Sequence, residues 1–271
     1  MNSILIFGAG KSATSLIEYL CKVCDENDWG LSVCDANVQL AQSKIHGSRR
    51  AKAISNDVSN DEERGSLIQK ADVVISMLPP HLHFLVAKDC VAYGKHLLTA
   101  SYIDEKIKCL EDKIKQKGII FICEMGLDPG IDHMSAMKII HGIRNDGGKI
   151  TSFKSHCGGL IAPESDDNPW HYKITWNPAN IVMAGSSGAL YLEENKKIET
   201  GYYDVFNTCA KINVPRLFPL EGYPNRDSIS YIEKYGLQEA KTFLRTTLRY
   251  PSFCSGWDKI VNMGFTDLDD L

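Results

Sequence analysis

The chain has 271 residues, 44% of them hydrophobic and 24% charged, and a net charge of −4. A chain this long buries roughly three quarters of its unfolded surface and needs no staples to hold a core. Mild acidity, with basic residues scattered and not striped among aromatics, argues against nucleic acid and anionic membrane as partners. No apolar run is long enough to span a bilayer. Nine cysteines without a disulfide framework point to free thiols and a cytoplasmic location.

The first stretch, Met1 to Phe7, is apolar but has no basic leader, and Gly8-Ala9-Gly10-Lys11 interrupts it, so it reads as a strand and not a signal peptide. Further continuous apolar runs follow at Leu31–Cys34, Ala51–Ile54, Val73–Ser76, His96–Thr99 and Ile119–Cys123. Segments of helical spacing separate them, such as Leu16, Leu20 and Val23, or Ile107, Leu110 and Ile114 within 104–117. This alternation predicts an α/β fold with a Rossmann-type parallel sheet covered on both faces, over 1–123. After Glu124 the rhythm changes. A turn at Gly126-Leu127-Asp128-Pro129-Gly130 leads into a helix over 132–144, a strand over 149–157, hairpin-like stretches around 181–200 and a late strand over 242–250. Residues 124–271 are therefore expected to form a second α/β domain with a mixed sheet.

The sharpest local motif is Gly8-x-Gly10-x-x-Ala13, placed directly after the first strand and opening the first helix. The first glycine permits a tight turn, the second lets backbone approach a pyrophosphate, and the small residue at 13 lets helix and strand pack closely. Phosphate charge then meets unpaired N–H groups at the helix start. Asp35 ends the second strand, where a carboxylate bonds the adenosine ribose hydroxyls and repels a 2′-phosphate, so NAD is expected ahead of NADP, with NADP the alternative. The plain alternative is a helix cap by Asp35 or Asn37.

Ligands of doubly wound sheets gather outside the carboxyl ends of the strands. That rule selects Ser76 to His81 with Leu78, Thr99 to Tyr102, and Glu124 to Pro129. Tyr102 and Asp128 stand out there as groups able to hydrogen-bond substrate or move a proton. Cys21-x-x-Cys24 has redox spacing but falls inside the first helix, which favours a structural role. His81-x-His83 lacks a third ligand, and no metal is expected. Trp170, Tyr172 and Trp176 read as core or groove wall.

Several longer motifs carry a resemblance: Glu124-Met-Gly-Leu-Asp-Pro-Gly-Ile-Asp-His133, Cys157-Gly-Gly-Leu-Ile-Ala-Pro-Glu164, Asn168-Pro-x-x-Tyr-Lys173, Tyr223-Pro-Asn-Arg-Asp-Ser228 and Thr247-Leu-Arg-Tyr250. With Ser101-Tyr102-Ile103 upstream, these resemble saccharopine dehydrogenase of the L-glutamate-forming type, over essentially the whole chain. The resemblance implies reversible, nicotinamide-dependent conversion of saccharopine to glutamate and 2-aminoadipate semialdehyde in lysine metabolism. It also implies a Rossmann domain followed by a mixed-sheet domain that binds substrate and supports dimerisation, with a homodimer as the candidate assembly.

By the family's pattern, substrate contacts fall on Ser101, Tyr102, Asp128, Arg226, Thr247, Leu248 and Arg249. Cofactor contacts fall on Gly8, Ala9, Gly10 and Lys11, on Cys34, Asp35 and Ala36, and on Asp57 and Val58. They continue on Ala100 to Tyr102, on Leu127, Asp128, Pro129, Gly130, Ile131, Asp132, His133 and Met134, and near Trp176. Saccharopine carries three carboxylates, for which the planar forks of Arg226 and Arg249 are suited. Asp128, Tyr102 and Cys157 are the groups available for proton transfer, with Asp128 favoured by its position where sheet, cofactor and second domain should meet.

Three departures are visible. Fungal members carry arginine where Asp35 stands, which suits NADP; the carboxylate here points to NAD. His156 and Ile161 replace the family's usual tyrosine and proline around Cys157, so substrate preference is open to change. Family members continue beyond Asp267 to Leu271, so a helical insertion and the last pieces of both domains are expected to be missing. The competing expectations are a dehydrogenase of another amino-acid-derived imine, a non-catalytic nicotinamide-binding protein, and a metal-dependent redox protein using the cysteines.

Overall fold

The structure, a computed structural model, describes residues 2–174 and 179–267. The chain divides into two compact units, Met1–Ile131 and Asp132–Leu271.

The first unit begins with β1 (Ser3–Phe7), α1 (Thr14–Asn27), β2 (Gly30–Asp35), α2 (Val38–Gln42), β3 (Ala51–Ser55) and α3 (Asp61–Gln69). It continues with β4 (Val73–Ser76), α4 (His83–Tyr93), β5 (His96–Thr99), α5 (Glu105–Lys108), α6 (Glu111–Gln116) and β6 (Phe121–Ile122). All six strands are parallel, in the order β3-β2-β1-β4-β5-β6. Each falls where the apolar runs predicted it. The runs are continuously apolar because side chains leave a strand alternately to its two faces. Leu5 and Phe7 of β1 pack with Val86, Cys90 and Leu97 on one side. Ile6 packs with Ile17, Leu20 and Val33 on the other.

The helix expected over 104–117 is two short ones. Between α5 and α6 the Leu110 N–H bonds the Ile107 carbonyl, three residues back, and tightens the turn. Ile107 and Leu110 are buried and Ile114 packs beside them, so the apolar face survives the break. Residues 124–130, where the change of rhythm put the start of the second domain, remain with the first unit. The Met125 N–H bonds the Thr99 carbonyl at 3.0 Å and the Glu124 N–H the Ser101 carbonyl at 3.1 Å, which ties this loop to the end of β5.

The second unit contains α7 (Ile131–Asn145, counting its first residue), β7 (Ser152–Cys157), α8 (Ala179–Val182), β8 (Ala189–Glu193), β9 (Lys196–Thr200) and β10 (Ala210–Ile212). Then come β11 (Leu220–Pro224), β12 (Arg226–Asp227), α9 (Ser230–Lys234), β13 (Thr242–Arg249) and α10 (Pro251–Asn262). Its seven-stranded sheet is mixed, as expected: β13 runs parallel to β7 but antiparallel to β11, and β12 runs parallel to β8. The hairpin is β8–β9, turned by Glu194 and Asn195, both at positive φ, the geometry that matches strand twist. The sequence reading did not find β10, β11, β12, α9 or α10, whose short runs lie among Pro- and Gly-containing loops. Among the described residues no helix is long and apolar enough to cross a membrane.

One charged side chain is fully enclosed in the first unit. The Arg64 side chain donates Nε to Asp89 at 2.8 Å, Nη1 to the Val58 carbonyl at 2.5 Å and Nη2 to Asp61 at 2.6 Å. It joins α3 to α4 and holds the loop after β3. Breaking a buried pair strands a charge, so Arg64→Ala is expected to lower the unfolding free energy by about 3–5 kcal/mol, measured by urea titration. A loss below about 1 kcal/mol, the scale of a surface pair, would contradict the enclosed-charge account.

Candidate functional site

The glycine turn has the form its motif requires. Gly8 sits at φ +98°, and a Cβ there would lie 2.7 Å from the Met77 carbonyl oxygen, so both the conformation and the space demand glycine. Gly10 differs: a Cβ would meet nothing within 4 Å. Its φ of −61° suits any residue. The protein's own atoms do not explain glycine at 10, whereas close approach of a pyrophosphate does. No hydrogen bond among the described residues uses the N–H groups of Gly10, Lys11 or Ser12. They precede α1 as anion-binding donors should. Ala13 is buried against the sheet.

The Asp35 carboxylate holds this turn. Oδ2 accepts the Ala9 N–H at 2.7 Å and Oδ1 the Asn37 N–H at 2.8 Å. Each oxygen keeps a second lone pair for a ribose hydroxyl. Asn37, and not Asp35, caps α2 by accepting the Leu40 N–H. Cys34 is buried and its carbonyl accepts the Gly8 N–H. The Lys44 ammonium donates to the Gly10 carbonyl at 2.5 Å. Partial burial lowers its pKa against the pull of Asp35. The sequence reading missed Lys44, which lies just past the end of α2. Beyond β3, Asp57 is exposed while Val58 packs into the core.

The carboxyl ends of β4, β5 and β6 bring the next groups together. Ser101 and Tyr102 follow β5, Leu78 follows β4, and all three are half-buried, as is Ala100. The Tyr102 hydroxyl donates to Asp128 Oδ1 at 2.7 Å. Asp128 is placed by a tight loop: Gly126 N–H bonds the Pro129 carbonyl at 2.9 Å, Ile131 N–H bonds the Gly126 carbonyl at 3.0 Å, and the Asp128–Pro129 peptide is cis. Gly130, at φ +148°, lies so close to Gly126 that no Cβ fits. Leu127 and Ile131 are exposed. Beside this pair runs a chain that joins the selected Ser76 and Ser101 through His83, a residue outside the predicted site: Ser76 Oγ to His83 Nδ1 at 2.8 Å, and His83 Nε2 to Ser101 Oγ at 2.7 Å. Burial holds the His83 pKa below its ordinary value. Both ring nitrogens being engaged, the His81-x-His83 pair has no zinc geometry.

In the second unit, strand register gathers the expected residues. Thr247 of β13 lies opposite Cys157 of β7 on one side and Tyr223 of β11 on the other, so the three share a face, and Arg249 falls on it two residues on. The Arg249 guanidinium stacks 5.0 Å over Tyr172 and 5.4 Å over Phe253, and its buried Nε has no hydrogen-bond partner among the described residues. Leu248 points the other way, into a cluster with Leu220 and Tyr250. Arg226 lies on β12, exposed and at φ +49°.

Asp132 and His133 turn inward. Asp132 Oδ2 accepts from Arg245 Nη2 at 3.2 Å, His133 Nδ1 pairs with the Tyr235 hydroxyl at 2.5 Å, and the imidazole stacks on Tyr231. Met134 is exposed. Trp176 lies outside the described residues, while Trp170 packs on Phe253 and Trp257. Cys21 and Cys24 are buried in α1, which raises both thiols. Among the described residues one trio, Cys209, Glu221 and Cys254, brings metal-ligating atoms within 4.8 Å of one another. Glu221 lies in strand register with Lys211 and Arg249.

A 3-2-1-4-5-6 parallel sheet with this glycine turn and an acidic end to its second strand defines a dinucleotide-binding domain of the Rossmann class. Residues 4–122 match the family model described as the saccharopine dehydrogenase NADP binding domain, and residues 126–271 match the saccharopine dehydrogenase C-terminal domain. The chain belongs to the saccharopine dehydrogenase family.

It is 37% identical to the saccharopine dehydrogenase [NADP(+), L-glutamate-forming] of Schizosaccharomyces pombe, over 98% of this chain and 59% of that one. It is also 37% identical to the alpha-aminoadipic semialdehyde synthase of Arabidopsis thaliana, over 98% of this chain and 27% of the synthase. The solved apo saccharopine dehydrogenase (L-Glu forming) of Saccharomyces cerevisiae superposes with a TM-score of 0.89 at 34% identity, covering 99% of this chain and 60% of that one. The chain thus spans about three fifths of its fungal relatives and about a quarter of the plant synthase.

The two glycines separate fold from ligand. Gly8→Ala is expected to destabilise the protein by about 1 kcal/mol or more, since φ and space are both wrong. Gly10→Ala should unfold as wild type does and yet bind NADH at least about tenfold more weakly, read by fluorescence titration. Wild-type NADH affinity in Gly10→Ala would remove the pyrophosphate from this turn.

Proposed function

We propose that this chain is an oxidoreductase acting on a CH–NH bond, with saccharopine as its amino-acid substrate. The observation that carries the reading is the Tyr102–Asp128 hydrogen bond at the carboxyl edge of the parallel sheet, in the same unit as the glycine turn. The turn from Gly8 to Ser12 and Asp35 would hold a nicotinamide dinucleotide, which would supply the hydride acceptor for oxidation at the carbon bearing the secondary amine. This chain's residues do the rest. The Tyr102–Asp128 pair holds a proton acceptor and donor for the amine nitrogen. Loss of hydride and proton leaves an imine; water adds to it, the C–N bond breaks, and glutamate and 2-aminoadipate semialdehyde leave. In the second unit, Arg249, stacked over two rings, and Arg226 carry planar forks of the kind that pair carboxylates bidentately. Cys157 stands in register with Thr247 as a further proton-transfer candidate. Nine free thiols favour a reducing compartment such as the cytoplasm, although mammalian relatives carry mitochondrial in their names.

For the cofactor, the NADP in the names of the family model and fungal relatives competes with the charge at Asp35. Were a 2′-phosphate to bind beside the carboxylate, like charges about 4 Å apart would repel by roughly 4 kcal/mol at an effective dielectric of 20. Lys44 offsets part of that. We favour NAD on this balance, with NADP as the alternative that the relatives support.

The assay is absorbance of reduced cofactor with saccharopine at pH about 9, near the amine range, with NAD and NADP in turn. Asp128→Asn is expected to lower kcat by about 10²-fold or more; unchanged turnover would remove its role. Asp35→Asn keeps an acceptor for the Ala9 N–H but loses the charge, and should improve NADPH affinity relative to NADH by about tenfold. Wild-type protein that already binds NADPH more tightly than NADH would decide for the relatives' cofactor.

A further inference from the structure

The Ser76–His83–Ser101 chain admits two proton arrangements, and they give Ser101 opposite characters. If the Ser76 hydroxyl donates to Nδ1, the ring proton is on Nε2 and is donated to Ser101 Oγ, which leaves the Ser101 hydroxyl proton for a ligand. If Nδ1 carries the proton, Ser101 must donate to Nε2, and only its lone pairs face outward.

Hydrogen-bond accounting selects between them. Ser76 is 0% exposed, and its Oγ has His83 Nδ1 as its one partner among the described residues. Were Nδ1 the donor, the buried Ser76 hydroxyl proton would have no acceptor, an expensive loss in a dry core. Ser76 must therefore donate. His83 is itself 2% exposed and stands at the first position of α4, where burial and the helix N-terminus both disfavour imidazolium. A neutral ring has one proton, and it lies on Nε2.

We propose that His83 is a positioning residue that, fixed by Ser76, holds Ser101 as a hydrogen-bond donor aimed at an anionic oxygen of the ligand, a substrate carboxylate. This rests on the functional reading above and deepens it. It also explains a polar chain through the core at a point where apolar side chains would pack more cheaply. Ser101 stands beside the Tyr102–Asp128 pair in sequence and in space, so a carboxylate anchored there lies next to the groups proposed to move the proton.

The test has two parts. In the full-length wild-type protein without substrate, two-bond ¹H–¹⁵N spectra of the imidazoles, assigned by loss of one set in His83→Gln, should show the Nε2–H tautomer at His83. The Nδ1–H tautomer, or imidazolium near neutral pH, overturns the proposal. In steady-state kinetics, Ser101→Ala and His83→Asn should each raise KM for saccharopine about tenfold, by clearly more than either changes NADH affinity. The double variant should be no worse than Ser101→Ala alone, because His83 acts through that hydroxyl. His83→Gln, whose amide reaches the position of Nε2, should recover most of the loss.

Effects that multiply in the double variant, or a matching loss of NADH affinity, would show a merely structural histidine and overturn the proposal. If His83→Asn does not fold, the tautomer decides. If wild-type protein does not turn over saccharopine at all, the functional reading falls, while the tautomer still decides how Ser101 is held.

Discussion

A parallel sheet puts the carboxyl ends of all its strands on one edge, and the first unit is organised by that constraint. The glycine turn, Asp35, Ser101, Tyr102 and Asp128 come from distant parts of the sequence and all emerge there. What turns an edge into a site is the way its loops are tied down. Asp35 accepts a backbone proton from the turn after β1, and the loop carrying Asp128 bonds back to Thr99 and Ser101 at the end of β5. Remove either tie and the groups remain in the sequence but lose their common geometry.

Charge is handled differently in the two units. In the first, Arg64 is fully enclosed and compensated by two carboxylates and a carbonyl, and His83 stays neutral between two hydroxyls. In the second, arginines lie over aromatic rings: Arg245 over Tyr231 and Arg249 over Tyr172 and Phe253. Stacking removes water from a guanidinium while leaving its edge free for bonding, and a desolvated fork grips a carboxylate more strongly than a hydrated one. Asp132 occupies part of the edge of Arg245. Arg249, on the face shared with Cys157 and Thr247, bonds the Leu248 carbonyl and has a buried Nε without a partner among the described residues.

Asp35 has two tasks that pull against any simple exchange of cofactor. Its carboxylate would bring like charge to any 2′-phosphate bound beside it, and it also accepts the Ala9 N–H of the glycine turn. Arginine at this position would supply positive charge but no acceptor. A relative with arginine there must hold the turn by another contact, so cofactor preference and turn geometry change together.

The sequence alone determined the six parallel strands, because buried strands need uninterrupted apolar runs, and the dinucleotide turn, because Gly8, Gly10 and Ala13 answer steric demands within a few residues. It also marked Tyr102 and Asp128, through the rule that strand ends bear ligands, though not the hydrogen bond between them. Tertiary structure alone decided the rest. The helix over 104–117 breaks without losing its apolar face, a local tightening that periodicity does not register. The strand at Leu220 is broken in pattern by Gly222 and Pro224 and the one at Arg226 has two residues, so both exist because β13 and β8 give them ladders. His83 looked like half of an incomplete metal motif. Its partners lie 7 residues before it and 18 after it, and only the parallel pairing of β4 with β5 brings those two hydroxyls to the two sides of one ring.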